Sequence, residues 1–136
     1  MFILDTNVVS ELRKARKADP NVRKWANALP AANLYISAIT VLELELGILR
    51  IERRDRKQGA VLRAWMEAQV LPTFAGRVLG VDTPVARQCA ALHVPNARSD
   101  RDALIAATAH VHGMTIATRN GKDFQSMGVD LVNPWD

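Results

Sequence analysis

The stretch Phe2-Ile3-Leu4-Asp5-Thr6-Asn7 begins with three apolar residues and continues with a carboxylate, a hydroxyl and an amide. A short, unbroken apolar run is typical of a central strand that is covered on both faces. Ligands of open α/β sheets bind just beyond the carboxyl ends of such strands, where Asp5 is expected to lie. Asp, Thr and Asn also favour helix starts, so this stretch alone favours a capping role for Asp5 over a ligand role.

Strand and helix patterns alternate along the rest of the chain. Further strands are predicted at residues 34–36, 77–81, 114–117 and 129–132, with helices between them. Strands that alternate with helices run parallel and are joined by right-handed crossovers. The prediction is one α/β domain over residues 1–136, with three layers and a central, mainly parallel sheet of four to five strands. The helical pair at about 40–70 is interpreted as an arm for self-association.

Capping residues predict where several helices begin and end. Thr40 followed by Glu43, and Ser99 followed by Asp102, match the capping box that marks a helix start. The second helix of the arm is predicted to end before Pro72, because proline removes a backbone donor.

Composition places the chain among globular proteins. Its 136 residues are 49% hydrophobic and 24% charged, with a formal net charge of +4. Single-strand binding by aromatic stacking is disfavoured, because only 5% of the residues are aromatic. The chain carries two clusters of basic residues. Such clusters are usually solvated helix faces, but they also suit a polyanionic partner. The clusters are Arg13, Lys14, Arg16 and Lys17, and Arg53, Arg54, Arg56 and Lys57.

Neither a secretory signal nor a membrane-spanning segment is predicted. The apolar start is too short for a signal sequence and Asp5 interrupts it. Cys89 is the only cysteine and lies in an apolar helical run, so it is expected to be a small buried residue. We therefore expect a cytoplasmic protein that makes no membrane contact.

Four acids are predicted to meet at one edge of the sheet. Asp5 and Asp123 follow strands. Glu43 and Asp102 are predicted in the first turns of helices, where the helix dipole offsets part of their mutual repulsion. All four positions belong to the carboxyl edge of a parallel sheet. Taken singly, Glu43 and Asp102 are explained equally well as caps, and Asp123 as a turn acid.

Clustered carboxylates favour one kind of chemistry. Part of such a set would stay protonated unless a cation intervened, and hard ions such as Mg²⁺ or Mn²⁺ match an all-oxygen site. An ion held in this way can acidify a bound water and screen the charge of a phosphodiester. The acids together therefore predict metal-dependent hydrolysis of a phosphodiester.

The same residues carry a family resemblance that spans residues 2 to 124. The chain resembles the PIN-domain ribonucleases, and more narrowly the VapBC-type toxins with their FitB-like branch. The motifs are Asp5-Thr6-Asn7, Glu43-Leu44-x-x-Gly47, Asp102-x-x-Ile105-Ala106-Ala107-Thr108-Ala109 and Thr118-x-Asn120-x-x-Asp123-Phe124.

The resemblance implies a Mg²⁺- or Mn²⁺-dependent endoribonuclease toxin with one or two ions. Water would attack RNA and leave a 5′-phosphate and a 3′-hydroxyl, with Thr118 assisting the metal or the water. The toxin would form a homodimer and be silenced by a cognate antitoxin that inserts a basic residue among the acids. Operator DNA would be bound only through the antitoxin. The four ligands would be Asp5, Glu43, Asp102 and Asp123.

Secondary roles at the site are also assigned from the sequence. Asn7, Asp100 and Asn120 are candidates for a supporting shell around the acids. Glu45 is interpreted as solvent-facing, because two residues along a helix turn it away from Glu43. Basic residues flanking the acids are either solvated or phosphate contacts for RNA. They are Arg98, Arg101, Arg119 and Lys122.

Two other functions remain open on the sequence alone. The acids could hold a basic segment of a DNA-binding regulator without cleaving anything. A haloacid-dehalogenase-like phosphatase also begins with a strand that ends in Asp, but it needs a second Asp where this chain has Asn7.

Overall fold

The computed structural model describes all 136 residues. The predicted order of strands and helices is confirmed. The strands are β1 (Phe2–Leu4), β2 (Leu34–Ser37), β3 (Val78–Leu79), β4 (Thr115–Ala117) and β5 (Leu131–Val132). The helices are α1 (Thr6–Leu12), α2 (Pro20–Asn27), α3 (Ala38–Arg54), α4 (Arg56–Trp65), α5 (Leu71–Thr73), α6 (Thr83–Leu92) and α7 (Asp100–His112).

The five strands form one parallel sheet in the order β3-β2-β1-β4-β5. β1 is central, as its unbroken apolar run predicts. The chain winds outward from β1 in both directions, so the strand order reverses between β1 and β4. Leu4 pairs with Ala117 in that step, which aligns the residues that follow the two strands. A crevice at such a reversal is the usual ligand position in this class of fold.

Helices cover both faces of the sheet. Successive strand residues point to opposite faces, and Leu4 packs with α1 to α4 while Ile3 packs with α7. α7 lies almost wholly in the core, and α6 covers it through Val85 and Cys89. Cys89 is buried, as predicted, and burial raises the pKa of its thiol. The confirmed architecture is a three-layer α/β domain.

The capping box predicted at Thr40 and Glu43 is wrong. Ser37 caps α3 instead, and its hydroxyl accepts a hydrogen bond from the backbone N–H of Ile39 at 3.0 Å. The helix therefore begins at Ala38, two residues before Thr40, and Thr40 is fully buried. Glu43 consequently lies in the second turn, where the helix dipole does little for its charge. Ser99 does precede α7, but its side chain makes no capping hydrogen bond.

The predicted helix end before Pro72 is also wrong. α4 widens into a π-helical segment, Met66–Val70, and Pro72 lies in the first turn of the short α5 that follows. A proline is tolerated there because the first backbone donors of a helical segment have no partner within it. Asp55 caps α4 by accepting from the backbone N–H of Gln58 at 3.0 Å. None of the helices is both long and apolar enough to cross a lipid bilayer.

Candidate active site

A polar cavity of about 530 Å³ opens at the carboxyl edge of the sheet. All four acids predicted from the sequence line it, and none of its lining residues is hydrophobic. The fold therefore brings together carboxylates that lie up to 118 residues apart, between Asp5 and Asp123. The lining residues are Asp5, Thr6, Asn7, Ser10, Glu43, Asp102, Asn120 and Asp123.

Asp5 is placed by the end of β1 and by the start of α1. Its backbone N–H donates to the carbonyl of Ala117 at 2.9 Å, which extends the pairing of β1 with β4 by one residue. Its carboxylate oxygen Oδ1 accepts from the backbone N–H of Thr6 at 2.8 Å and so caps α1. Both interpretations of Asp5, helix cap and cavity residue, hold at once.

Thr118 connects the neighbouring strand to the same carboxylate. Its hydroxyl donates to Asp5 Oδ2 at 2.7 Å, and it accepts from the backbone N–H of Asn120 at 3.0 Å. Thr118 is 1% exposed, so this bond is shielded from water. Because the hydroxyl hydrogen is donated to Asp5, Thr118 positions the carboxylate of Asp5.

Asn7 completes a second link to Asp5. Its side-chain amide donates to Asp5 Oδ2 at 3.2 Å and lies 3.3 Å from Thr118 Oγ1. Its side-chain carbonyl accepts from the backbone N–H of Arg119 at 3.2 Å. Asn7 therefore ties α1 to the turn after β4 and contacts the carboxylate of Asp5.

Glu43 reaches the cavity from α3 and is held by a partner that the sequence analysis missed. The Thr6 hydroxyl donates to Glu43 Oε1 at 2.7 Å and lies 3.2 Å from the hydroxyl of Thr40. Thr6 and Glu43 are 37 residues apart, so no local sequence pattern predicts this hydrogen bond.

Asp102 and Asp123 contribute the other two acids of the cavity lining. Asp102 lies in the first turn of α7, as predicted. Asp123 ends a 3₁₀ turn, Gly121–Asp123, rather than directly following β4, and it is exposed.

Burial and mutual repulsion shape the charge of the site. Burial raises the pKa of Asp5 above its ordinary value, and the charges of Glu43 and Asp123 raise it further, while the hydrogen bond from Thr118 lowers it. Burial also raises the pKa of Asp102, with added contributions from the charges of Asp123, Asp5 and Glu43. The four carboxylates thus act electrostatically as one cluster.

The donor set fits a hard divalent cation in its chemistry. It offers carboxylate, hydroxyl and amide oxygens, and the repulsion among its acids is the kind that a cation relieves. No group of three acids, histidines or cysteines is already arranged around a common point at ligand distance. Instead, the carboxylates of Asp5 and Glu43 accept hydrogen bonds from the hydroxyls of Thr118 and Thr6.

Comparison with known proteins agrees with the fold. Residues 2–129 match the PIN domain family. The chain is 40% identical over 141 residues to VapC ribonuclease Y4jK of Sinorhizobium fredii, covering 100% of this chain and 99% of that protein. The chain belongs to the PIN-domain family.

This PIN domain is also similar to a toxin and to a solved DNA-bound structure. Toxin FitB of Neisseria gonorrhoeae is 40% identical over 143 residues, with 99% of both proteins covered. The solved structure of FitAB bound to an IR36 DNA fragment superimposes with a TM-score of 0.89 at 38% identity, covering 100% of this chain and 96% of that one.

Two acids next to the motifs lie outside the cavity of this PIN domain. Asp100 has a 90% exposed side chain that lies 3.3 Å from His93, so a supporting role at the acids does not fit its position. Glu45 is not simply solvent-facing, because both its oxygens bind the guanidinium of Arg63, at 2.8 and 2.6 Å. The half-turn of separation from Glu43 directs Glu45 towards α4.

The four basic flanking residues divide into two groups. The guanidinium of Arg98 donates hydrogen bonds to the carbonyl of Leu92 and to both oxygens of Ser126. These bonds connect two loops and leave the guanidinium less available for a phosphate. That of Arg119 lies 5.1 Å from the centre of the Trp135 ring. Arg101 does face the acids, with its Nη1 3.8 Å from Glu43 Oε2, and Lys122 is exposed beside Asp123.

Proposed function

We propose that this PIN domain is a Mg²⁺- or Mn²⁺-dependent endoribonuclease and the toxin of a type II toxin–antitoxin system. The observation that carries the proposal is the convergence of Asp5, Glu43, Asp102 and Asp123 on one polar cavity. Named relatives support the activity, since one is called a ribonuclease and another a toxin.

The residues of the chain supply a prepared, negatively charged site. Thr118 and Asn7 fix the carboxylate of Asp5, and Thr6 fixes that of Glu43. Because their hydrogen bonds set these carboxylates before substrate arrives, little reorganisation remains for the reaction. A bound divalent ion would supply a more acidic water and neutralise charge on the phosphodiester.

RNA reaches such a site only if basic groups offset the repulsion between its phosphates and the acids. Arg101 lies at the rim beside Glu43, so its guanidinium is placed to contact a phosphate next to the scissile bond. Cleavage by water in this arrangement leaves a 5′-phosphate and a 3′-hydroxyl.

The test of activity compares purified wild-type protein with Asp5→Asn in the presence of Mg²⁺ or Mn²⁺. The variant keeps an oxygen that can cap α1 but loses the charge, so it is expected to fold and not to cleave RNA. Asp130→Asn is the matched control, because Asp130 is exposed and does not line the acidic cavity. Equal cleavage by wild type and Asp5→Asn contradicts the proposal.

An antitoxin partner is proposed from the same cavity. A cluster of acids lacking a full set of cationic partners suits a basic side chain presented by another protein. The similar structure is that of FitAB with DNA, in which a FitB-like chain is part of a DNA-bound assembly. Co-expression with the product of the adjacent reading frame should yield a complex that does not cleave RNA, and that binds operator DNA only when both chains are present.

A homodimer is proposed for the free toxin. α3 exposes Leu42 and Leu49, seven residues apart on one side of the helix, at 46% and 53%. A second copy would cover them, and Leu49→Glu is expected to shift the sedimentation of the protein towards a monomer. An unchanged sedimentation coefficient contradicts this use of the arm.

The non-catalytic alternative uses the same acids to hold a basic segment of a DNA-binding regulator. It shares the antitoxin complex but predicts that metal-loaded protein cuts no RNA. Cleavage that requires Asp5 excludes it, whereas regulation of transcription without any cleavage favours it.

A further inference from the structure

One side of α3 carries basic residues away from the acidic cavity. Glu43, Gly47, Arg50 and Arg54 follow the spacing i, i+4, i+7 and i+11 along the helix. At 3.6 residues per turn these positions fall within about 60° of one another. With a rise of 1.5 Å per residue, Arg50 lies about 10 Å and Arg54 about 16 Å beyond Glu43 along the helix axis.

Two acids of the arm, Glu45 and Glu52, lie on the other side of α3. Leu44 and Ile48 form the buried stripe between the two sides. Glu45 and Glu52 face α4, where both bind the single guanidinium of Arg63. These two carboxylates are therefore already paired with a cation, whereas Asp55, between the two helices, forms no ion pair and caps α4.

Arg50 and Arg54 are left without such partners. Both are exposed, and neither forms an ion pair or a side-chain hydrogen bond. The neighbouring Arg53, Arg56 and Lys57 are exposed and unpaired in the same way. The turn between α3 and α4 consequently carries an excess of unpaired positive charge around the single acid Asp55.

Helix stability does not account for this charge. Arg54 ends α3, where a cation is favoured by the helix dipole, but Arg50 lies a full turn earlier. Arg56 and Lys57 begin α4, where the helix dipole opposes cations and where Asp55, the cap of the helix, is the one acid. Positive charge kept in an unfavourable position suggests a use in binding.

Gly47 leaves the route between the acids and the arginines open. It lies between Glu43 and Arg50 on the same side of α3, and a Cβ atom built there meets nothing within 4 Å. A chain of phosphates leaving the acidic cavity therefore finds no side chain in its way at this position.

We propose that Arg50 and Arg54 bind the phosphate backbone of the RNA strand on one side of the bond that is cut. The proposal rests on the ribonuclease function and names the surface along which its substrate lies. A phosphate backbone fits better than an acidic peptide, because the charges form an open row that continues along the helix from the acidic cavity. Backbone contacts would hold RNA irrespective of its sequence.

The test measures binding separately from cleavage. All variants are made in the Asp5→Asn protein, which is expected to leave RNA intact, and the probe is a fluorescent single-stranded oligouridylate. Arg50→Gln with Arg54→Gln is expected to raise the Kd about tenfold at low salt. It should also reduce the slope of log K against log salt concentration by about 1.4, since each phosphate contact on a single strand contributes about 0.7.

Lys24→Gln with Arg87→Gln is the matched control. It removes the same charge from exposed positions on α2 and α6, and it should leave the salt slope unchanged. Glutamine and arginine have similar helix propensities, so thermal melting verifies that all the variants stay folded.

Three results would contradict the proposal that Arg50 and Arg54 bind RNA. They are an unchanged Kd and slope in the arginine variant, an equal loss in the control, and equal dependence of a polyglutamate probe on the same arginines. Failure of the ribonuclease function gives a different pattern, in which the wild type cleaves no RNA while binding still depends on Arg50 and Arg54.

Discussion

Thr118 donates its hydroxyl hydrogen to Asp5 Oδ2 at 2.7 Å, across the step where the order of the strands reverses. One residue follows β1 and the other follows β4, so the pairing of the two strands sets this contact. The bond favours the charged form of an acid whose pKa burial raises. A single hydroxyl thus helps to keep the central carboxylate of the site ionised.

Thr118→Val should lower RNA cleavage by about tenfold or more, because a hydrogen bond to a charged group contributes about 1.5–3 kcal/mol. Without it the pKa of Asp5 rises further, so the acidic limb of the pH–rate profile should move to higher pH. Thr118→Ser keeps the hydroxyl and should restore both the rate and the profile. A loss of rate in both variants with no change of profile would mean that packing alone explains the residue.

Metal binding should be visible as stability in the wild-type protein. A ligand at 100 times its Kd stabilises the folded state by about 2.7 kcal/mol, so Mn²⁺ should raise the Tm and EDTA should reverse the rise. Asp102→Asn should show a much smaller shift, because it removes one of the clustered carboxylates. Asp130→Asn provides the control for a general effect of charge. Equal shifts in all three proteins would place the bound ion elsewhere.

Much of this site could be predicted because its acids follow simple local rules. An apolar run that ends in Asp marked both a strand and its carboxyl edge, and Ser99 with Asp102 marked the start of α7. The supporting contacts were less visible. Thr6 holds Glu43 across 37 residues, and only the packing of α1 against α3 creates that pair.

The errors in the sequence analysis also have physical causes. Thr40 matches a capping motif, but the hydroxyl of Ser37 already caps the helix at the end of β2. Arg98 lies beside an acidic motif, yet its guanidinium binds Leu92 and Ser126, whose positions depend on how two loops fold. Residue type indicates the chemistry that a side chain can perform, whereas its actual partner depends on tertiary structure.

Stability at acidic pH should depend on Glu11, which lies on α1 away from the cavity. Its carboxylate accepts from the backbone N–H of Asp19 at 2.8 Å and from Lys14 Nζ at 2.9 Å. The backbone hydrogen bond, followed by the contact with Lys14, lowers its pKa below the ordinary 4.5. A lowered pKa stabilises the fold above pH 4.5, and this contribution is lost as the pH falls through the folded value.

Glu11→Gln should therefore be less stable than wild type at pH 7, and the difference should shrink as the pH drops well below 4.5. Urea unfolding at a series of pH values measures this difference. Lys14→Gln separates the contribution of the ion pair from that of the bond to the start of α2. A difference that stays constant with pH would assign the effect of the substitution to packing.

Two glycines of the arm should respond oppositely to the same substitution. Gly59 is buried where α4 crosses α3, and a Cβ atom there would lie 2.6 Å from the Cα of Glu52. Because that atom belongs to the backbone, the two helices must separate, and Gly59→Ala should destabilise the fold by about 1–3 kcal/mol. Gly47 has open space around it, so Gly47→Ala should stabilise the fold by about 0.5–1 kcal/mol through helix propensity alone. Urea unfolding of both variants measures the contrast, and destabilisation of both by similar amounts would contradict the close approach of α3 and α4 at Gly59.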